Sequence, residues 1–336
     1  MKAVFWQGKK RFELGEAPKP RIGDDQVLIK VEAASICTSD FHYADWDCTP
    51  PIIPGHEAAG TIVETGKNVR TIKIGTKVAV DPVQRCGKCE ICLSGIGHLC
   101  PNTRHLGNSE NPGAWAEFLA VDAANCYPLP QNVSALDAAL TEPLAVCMES
   151  FERANFQPGW DVLILGDGVF GFIHAMFAKI FGARKIIIAG HYNSRLDRIA
   201  KETNAITCNT HNQNLTETLE KTVGKTGVHL AIEGTSAGAA PNIALNALRP
   251  RGTLVLFSYI WKSEPLDLPL LNMKELNVLG SCRSLNCFEK CLHLVSEKKI
   301  NVASLIDIKE PLADANKAII QLQENKKNVF KAVLLP

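Results

Sequence analysis

The sequence has no excess of charge of either sign and no long apolar run. Its 336 residues include 36 Lys and Arg against 35 Asp and Glu, a formal net charge of +1. This balance gives no general attraction to nucleic acid or to an anionic membrane. No apolar stretch reaches the roughly 18 residues that mark a membrane-spanning helix, and charges at positions 9–11 interrupt the place of a secretion signal's apolar core. We therefore expect a soluble, cytoplasmic protein that binds neither nucleic acid nor membrane.

Cysteine, by contrast, is abundant. Twelve cysteines are many for a reducing compartment, and a chain of this length needs no disulfides to hold its core. Four of them follow the pattern Cys86-x2-Cys89-x2-Cys92-x7-Cys100. Two-residue gaps let thiolates converge on one ion, and four thiolates complete a tetrahedron around zinc with no open position. The spacing predicts a structural zinc lobe, with an iron–sulfur cluster or unligated thiols as alternatives.

A second set of metal-binding residue types is spread along the first half of the chain. Cys37 follows a predicted strand, His56 and Glu57 begin the next one, and Glu142 lies in the segment TEPLAV. A thiolate, an imidazole and one or two carboxylates suit a catalytic zinc that keeps a position for water or substrate. Because these residues are far apart in sequence, spacing alone also allows Cys37 to be a small buried residue and His56 a turn histidine.

The texture of the chain changes along its length. Short β segments over residues 25–36 and 56–81 predict a strand-rich N-terminal region. Further on, apolar strands alternate with helical stretches, which is typical of a parallel sheet covered by helices on both faces. The predicted strands are Asp161–Leu165, Lys185–Ala189, Ala205–Cys208, Val228–Glu233, Thr253–Ser258 and Leu276–Ser281. Two amphipathic helices and a closing strand follow after residue 283.

A glycine-rich turn lies between the first of these strands and a helix. It reads Gly166-Asp-Gly168-Val169-Phe170-Gly171. The first glycine allows the tight turn, the second lets the backbone approach a pyrophosphate, and the third permits close packing of helix on strand. The helix N-terminus favours the anionic phosphates. In this context the motif predicts a dinucleotide site, the alternative being a turn without a ligand.

The residues after the second strand indicate which dinucleotide is bound. An acidic residue there would hydrogen-bond the free 2′-hydroxyl of NAD and repel the 2′-phosphate of NADP. The chain has Gly190 at this position, and the basic side chains of His191 and Arg195 follow. The pattern favours NADP over NAD. If His191 and Arg195 belong only to a solvated loop face, NAD remains the alternative.

These features occur in the order of a known family. The chain resembles the zinc-dependent medium-chain dehydrogenase/reductase family, in particular its polyol (sorbitol-like) dehydrogenase branch, over essentially its whole length. The segments that carry the resemblance are GHEAAGTIVETG, the four-cysteine lobe, EPLAV and GDGVFG. It implies an α/β fold in which a GroES-like, β-rich catalytic domain (1–146 and 284–336, with the zinc lobe at about 82–105) is interrupted by a Rossmann domain (147–283). Such proteins are usually homodimers or homotetramers.

The resemblance also implies roles for individual residues. Cys37, His56 and Glu142 would be the catalytic zinc ligands, with Glu57 beside the metal and Asp40 orienting His56. Glu142 matches the glutamate of the polyol enzymes, whereas the alcohol dehydrogenases of the same family have a cysteine at the corresponding position.

Further residues match positions near the reaction. Ser39 and His42 correspond to a proton relay, and Arg283 to an arginine near cofactor and substrate. Thr38 replaces a glycine that is common after the first ligand, and Ser284 stands where sorbitol enzymes usually have tyrosine. The interval from Cys37 to His56 is also shorter than in the sorbitol enzymes, so we expect the wall of the substrate pocket to differ from theirs.

The implied activity is hydride transfer between NADP(H) and a secondary alcohol or its ketone, most plausibly a sugar alcohol or polyol. The alternatives are an alcohol or amino-alcohol (threonine-type) dehydrogenase of the same family, and a zinc-free quinone or enoyl reductase. A zinc-lobe protein that binds nucleic acid is disfavoured by the balanced charge.

Overall fold

The computed structural model describes residues 1–9, 11–43, 48–262 and 264–336. It divides the chain into two compact units. One unit consists of Met1–Ala145 with Leu285–Pro336, and the other of Val146–Ser284. The chain therefore leaves the first unit, forms the second and returns. No helix among the described residues has the length and apolar character needed to cross a membrane.

The first unit is mostly β structure. Its strands are β1 (Lys2–Trp6), β2 (Phe12–Glu16), β3 (Gln26–Ser35), β4 (Glu57–Thr65), β5 (Lys77–Val80), β6 (Val83–Gln84), β7 (Arg104–His105), β8 (Phe118–Asp122), β9 (Cys126–Pro128), β16 (Ile306–Pro311) and β17 (Lys331–Leu335). Its helices are α1 (Glu90–Leu93), α2 (Ala135–Ala138), α9 (Phe288–Ser296) and α10 (Ala315–Glu324), and α3 (Thr141–Arg153) crosses into the second unit.

The main sheet of this unit joins the two ends of the chain. Its strand order is β16-β17-β3-β4-β5-β9, and β8 pairs with the other part of β3. The strand β3 is long, and both of its faces are buried near its two ends, at residues 27–29 and 33–35. At its end, β17 pairs antiparallel with β3, matching Val333 with Ser35. The C-terminal segment is thus built into the same core as the N-terminal strands.

The second unit contains a parallel sheet of six strands with helices between them. The strands are β10 (Asp161–Leu165), β11 (Lys185–Gly190), β12 (Ile206–Asn209), β13 (Val228–Glu233), β14 (Leu248–Leu256) and β15 (Asn277–Gly280). The helices are α4 (Val169–Ile180), α5 (Asn193–Thr203), α6 (Leu215–Val223), α7 (Ala240–Ala247) and α8 (Leu268–Met273). This confirms the predicted α/β class.

The strand order of that sheet places a ligand crevice next to β10. The order is β12-β11-β10-β13-β14-β15, and all pairs are parallel. Because the order reverses direction at β10, the loops after β10 and β13 diverge to opposite faces and leave a crevice at the carboxyl edge. After Asp161 the strand β10 is apolar along its length, and all of its residues are buried, as expected for a parallel sheet covered on both faces.

The second unit also buries a neutral histidine. His174 on α4 is 1% exposed, with Nδ1 2.7 Å from the carbonyl oxygen of Phe170 and Nε2 3.1 Å from Ser150 Oγ. Burial lowers the pKa of His174 to about 4, although the bond to Phe170 acts in the opposite direction. Its partners lie inside this unit, so His174 is a packing residue.

His174 makes the stability of the second unit depend on pH. Above pH 6.5 the His174 ring is neutral in both the folded and the unfolded protein. Between pH 6.5 and about pH 4 the ring is protonated in the unfolded protein but stays neutral in the folded protein. Stability should therefore fall as pH decreases across this window, by about 3 kcal/mol at its lower end. We expect His174→Gln to remove this part of the pH dependence. Hydrogen exchange of the α4 and β10 amides, corrected for intrinsic rates, measures it; identical pH slopes in both proteins would contradict the assignment.

Candidate functional site

Asp40 fixes the positions of Cys37 and His56. Cys37 comes just after β3 and begins a short 3-10 turn, Thr38–Phe41, in which Asp40 is 1% exposed. The backbone N–H of Cys37 donates to Asp40 Oδ2 at 2.9 Å, and His56 Nδ1 lies 3.1 Å from Asp40 Oδ1. Tyr43 donates its hydroxyl to the same Oδ1 at 3.4 Å. A carboxylate in this place sets the ring orientation of a histidine ligand.

A buried ion pair holds Glu57, the first residue of β4. Lys331 Nζ lies 2.5 Å and 2.6 Å from the two carboxylate oxygens of Glu57, and it also donates to the carbonyl oxygen of Ile36 at 3.1 Å. Both side chains are almost fully buried. Burial acts to lower the pKa of Lys331, but attraction by Glu57 and Cys37 outweighs it and the net shift is upward. Lys331 therefore remains a cation inside the unit.

Glu142 lies in the same electrostatic environment, in the first turn of α3. Burial raises the pKa of Glu142 to about 7; the charge of His56 opposes this and that of Glu57 reinforces it. The pKa of His56 is also raised well above its ordinary value: burial lowers it, but Asp40 and Cys37 have the larger combined effect. Asp40 and Cys37 thus favour a positive charge on the ring of His56.

The donor set has the chemistry that a zinc ion requires. The sulfur of Cys37, a ring nitrogen of His56 and a carboxylate oxygen of Glu57 lie within 4.8 Å of one another. A thiolate, an imidazole and a carboxylate are typical of a zinc site that keeps one position open. Glu142 does not belong to this compact set within the described residues, although its charge acts on His56. The residues present fit the metal that the sequence indicates.

The predicted relay residues lie on the same turn as Cys37. Ser39 is half-buried and His42 is exposed, and the N–H of His42 donates to the carbonyl oxygen of Ser39 at 3.0 Å. The sequence did not predict that His105 lies next to the site. Its ring centroid is 5.5 Å from that of His56.

The four cysteines of the predicted lobe converge on one point. Their sulfur atoms lie within 4.8 Å of one another, with separations of 3.5 Å (Cys86–Cys100), 3.6 Å (Cys89–Cys100) and 3.9 Å (Cys86–Cys92). These distances exceed a disulfide bond and suit sulfurs placed around a shared ion. Backbone N–H groups of Lys88 and Cys89 lower the pKa of Cys86 to about 6. None of the twelve cysteines forms a disulfide.

The glycine-rich turn has the geometry that its three glycines predict. Gly166 has φ +115°, and a Cβ there would lie 3.0 Å from the carbonyl oxygen of Gly234. A Cβ on Gly171 would lie only 1.9 Å from the carbonyl oxygen of Gly166, so the helix packs directly on the turn. By contrast, a Cβ on Gly168 would meet no atom within 4 Å. The backbone at Gly168, followed by Val169 and Phe170 in the first turn of α4, is open to a pyrophosphate group.

The end of β11 differs from the sequence-based expectation, which found no carboxylate there. The side chain of Asp167, from inside the glycine turn, reaches this position. Its Oδ2 accepts hydrogen bonds from the backbone N–H groups of His191 and Tyr192, both at 2.7 Å. A Cβ on Gly190 would lie 2.4 Å from the Cβ of Asp167. Gly190 is therefore required by Asp167, and a carboxylate is present after all.

Basic side chains surround this carboxylate. Arg195 Nη1 lies 3.9 Å from Asp167 Oδ1, and its guanidinium is 5.6 Å from the ring centroid of Tyr192. The rings of His191 and His211 are 4.5 Å apart, and Thr210 Oγ1 lies 3.3 Å from His191 Nδ1.

Arg283 lies at the same edge of the sheet but farther along it. It follows β15, is half-buried and has φ +60°. Because β13 and β14 lie between β10 and β15, Arg283 follows a strand that is not adjacent to the strand of the glycine turn.

Residues that sequence reasoning missed share one property: their partners come from another strand. His211 follows β12, the parallel neighbour of β11, so strand adjacency would have placed it beside His191. Lys331 is 274 residues from Glu57. No local signal marks it, apart from a lysine within the otherwise apolar closing strand VFKAVLLP.

Comparison with known proteins agrees with this geometry. Residues 23–131 match the alcohol dehydrogenase GroES-like domain, and residues 170–297 match the zinc-binding dehydrogenase model. Sorbitol dehydrogenase from Bombyx mori is 32% identical over 94% of each chain. Sorbitol dehydrogenase from Bacillus subtilis (strain 168) is 30% identical over 100% of this chain and 97% of its own. The chain belongs to the polyol dehydrogenase branch of the zinc-dependent medium-chain dehydrogenase/reductase family.

The fold of the chain also agrees with a solved relative. A zinc-binding dehydrogenase from Sinorhizobium meliloti 1021, bound to NADP, superposes with a TM-score of 0.90 at 28% identity, covering 100% of this chain and 99% of its own. The prediction of a GroES-like domain combined with a Rossmann domain is thereby confirmed, as is the family resemblance.

The four-cysteine lobe should account for one of two zinc ions per chain. Cys100→Ser removes one thiolate and leaves an incomplete tetrahedron, so we expect zinc content to fall from two to one per chain. Elemental analysis of protein purified without chelator measures this. Cys126→Ser is the matched control, because Cys126 is a buried cysteine outside both candidate sites. Equal zinc content in both variants would contradict the structural site.

The third glycine of the turn should be intolerant of a methyl group. In Gly171→Ala the new Cβ would overlap the carbonyl oxygen of Gly166, which must move and displace the turn. We expect dinucleotide affinity to fall by more than about tenfold. Gly182→Ala is the control, because the nearest atom to its Cβ is 3.4 Å away, outside the crevice, although its φ of +82° adds modest strain. Titration of intrinsic fluorescence with NADPH measures the difference; equal affinities would refute the packing argument.

Proposed function

We propose that the protein is a zinc-dependent oxidoreductase that uses NADP(H) to interconvert a secondary alcohol and its ketone, and that the alcohol is a sugar alcohol or another polyol. The observation that carries the proposal is the convergence of donor atoms of Cys37, His56 and Glu57 within 4.8 Å of one another, with Asp40 holding the first two residues. These ligand types leave a position open to a substrate oxygen, and the same chain holds a dinucleotide turn.

Cys37, His56 and Glu142 are the residues that we propose as ligands of the catalytic zinc. Glu57 belongs to the compact donor set, but Lys331 binds both of its oxygens. An ammonium group at that distance opposes a second cation on the same carboxylate. Glu57 is then beside the metal, and Glu142 provides the third ligand. When bound, zinc supplies Lewis acidity toward the alcohol or ketone oxygen.

Ser39 and His42 are suited to moving the hydroxyl proton. Ser39 is two residues from Cys37 and half-buried, whereas His42, on the same turn, is exposed. A hydroxyl near the ligands followed by an imidazole at the surface would connect a buried oxygen to solvent. Asp40 takes no part in this transfer, because both of its oxygens are already bound.

The preference for NADP(H) is supported by the basic groups after β11. The rings of His191 and His211 are 4.5 Å apart, Arg195 lies 3.9 Å from Asp167, and the end of this strand is where we expect the adenosine ribose of a dinucleotide. Neither β11 nor the residue after it carries an acid. The relative from Sinorhizobium meliloti is bound to NADP. The nicotinamide group is the donor or acceptor of the hydride, and Arg283 is proposed to lie near it.

The substrate proposal follows the relatives. Two sorbitol dehydrogenases match over nearly the full chain, and D-xylulose reductase A from Aspergillus oryzae (strain ATCC 42149 / RIB 40) is 28% identical over 95% of it. Ser284 in place of a bulky tyrosine favours a polyol other than sorbitol. We further propose a homodimer or homotetramer, as is usual in the family. We propose that it is cytoplasmic, since cysteines without disulfides suit a reducing compartment.

The proposal is tested by turnover with a panel of substrates. NADPH and NADH oxidation are measured against ketoses, sugar acids and aliphatic ketones. We expect ketoses and NADPH to give the highest kcat/KM, and Cys37→Ala to lower it by at least about 10³-fold because a metal ligand is lost.

Two controls make the result specific. Cys126→Ser should retain activity, and Cys37→Ala should still bind NADPH, since its dinucleotide turn is intact. Substantial turnover by Cys37→Ala would contradict a catalytic zinc at this site and would favour a zinc-free reductase.

A further inference from the structure

Asp167 and Gly190 form a coupled pair at the adenosine end of the crevice. Asp167 is 6% exposed, and its Oδ2 accepts the N–H groups of both His191 and Tyr192. A side chain at position 190 would overlap Asp167, whose Oδ2 would be 2.6 Å from the new Cβ. The turn after β10 therefore supplies the carboxylate that β11 lacks. Positions 167 and 190 cannot both carry a carboxylate, because the two side chains would overlap.

The two N–H groups lie where an external anion would be expected to bind. His191 and Tyr192 immediately precede α5, an eleven-residue helix whose N-terminus favours negative charge. Asp167 uses both of these donors itself. Its other oxygen lies 3.9 Å from Arg195 Nη1, so its charge also offsets part of the positive potential of that guanidinium.

We propose that Asp167 is a specificity-determining residue that limits the affinity for a 2′-phosphate relative to a 2′-hydroxyl. The inference rests on the proposed dinucleotide site and refines it. The basic groups His191, His211 and Arg195 attract the phosphate, while the fixed carboxylate in their midst repels it. The preference for NADP(H) is consequently narrow, and the protein uses NAD(H) as well.

The test compares two fragments that differ only in the 2′-phosphate. Calorimetry gives the Kd of 2′,5′-ADP and of 5′-AMP for the full-length wild type and for Asp167→Asn, which keeps an oxygen acceptor and removes the charge. We expect the ratio of the two Kd values to shift toward 2′,5′-ADP by about tenfold, and the shift to shrink as salt is raised.

Asp197→Asn is the matched control, because it removes the same charge from the exposed face of α5. It should change the ratio less than about twofold. An equal shift in both variants would mean a general charge effect and would overturn the proposal. So would an unchanged ratio in Asp167→Asn, or an equal loss of affinity for both fragments, which would mark Asp167 as a purely structural brace.

A second variant covers the case in which Asp167→Asn folds poorly. The double substitution Asp167→Gly with Gly190→Asp moves the carboxylate from the turn to the strand, and removing the Cβ of residue 167 makes room for the new side chain. We expect the ratio of the two Kd values to stay as in the wild type or to shift toward 5′-AMP; a marked shift toward 2′,5′-ADP would overturn the proposal. A wild type that prefers 5′-AMP would contradict the proposed NADP(H) preference only, because the effect of Asp167→Asn is read as a change in the ratio.

Discussion

The pairing of the C-terminal strand β17 with β3 is the constraint on which the candidate metal site depends. Leu334 pairs with Ala34, and the N–H of Ile36 donates to the carbonyl oxygen of Ala332 at 2.9 Å. This register brings Lys331 against Glu57. Since β3 and β4 are antiparallel, the end of one and the start of the other meet, and Cys37 and His56 come from these two ends. The adjoining ends of β17, β3 and β4 thus bring together charged and metal-binding side chains from three parts of the chain.

Electrostatics explains why those charges can be buried together. Removing a lone carboxylate or ammonium from water costs several kcal/mol, and attraction offsets this only when the partners are close and hydrogen-bonded. Lys331 meets both oxygens of Glu57, and Asp40 binds a backbone N–H and the ring of His56. The charges of Cys37 and Glu142 act on Lys331 as well, and those of Asp40 and Cys37 act on His56, so every acid of the site lies within the field of a buried basic group.

Local patterns made much of the fold predictable. Residues 161–165 are almost wholly apolar and end in a glycine turn, so strand and turn could be predicted to the residue. The prediction for the second strand of that sheet ended at Ala189, one residue short of the observed end at Gly190. The strand predicted at Thr253–Ser258 instead runs from Leu248 to Leu256, because its first residues pair with β13 through a register shift that no local pattern reveals.

The candidate site was less accessible to sequence reasoning. The four-cysteine lobe is local, so spacing alone indicates it. Lys331 could not be predicted, because its partner Glu57 is on a strand from the opposite end of the chain. Asp167 was visible in the sequence, but its meaning depends on the approach of its side chain to Gly190, which only the packing of β10 beside β11 creates. The role of a side chain that contacts a residue of another strand can be predicted only when the strand pairing and its register are known.

Transfer of a hydride between an alcohol carbon and the nicotinamide is the central claim, and isotope tracing tests it most directly. The best alcohol substrate is deuterated at its secondary carbinol carbon and oxidised with NADP by the wild type. Mass spectrometry of the recovered NADPH should show one deuterium on the nicotinamide ring for each ketone formed, with none in NADPH from the Cys37→Ala variant. Ketone formed without deuterium in the nicotinamide would contradict the account.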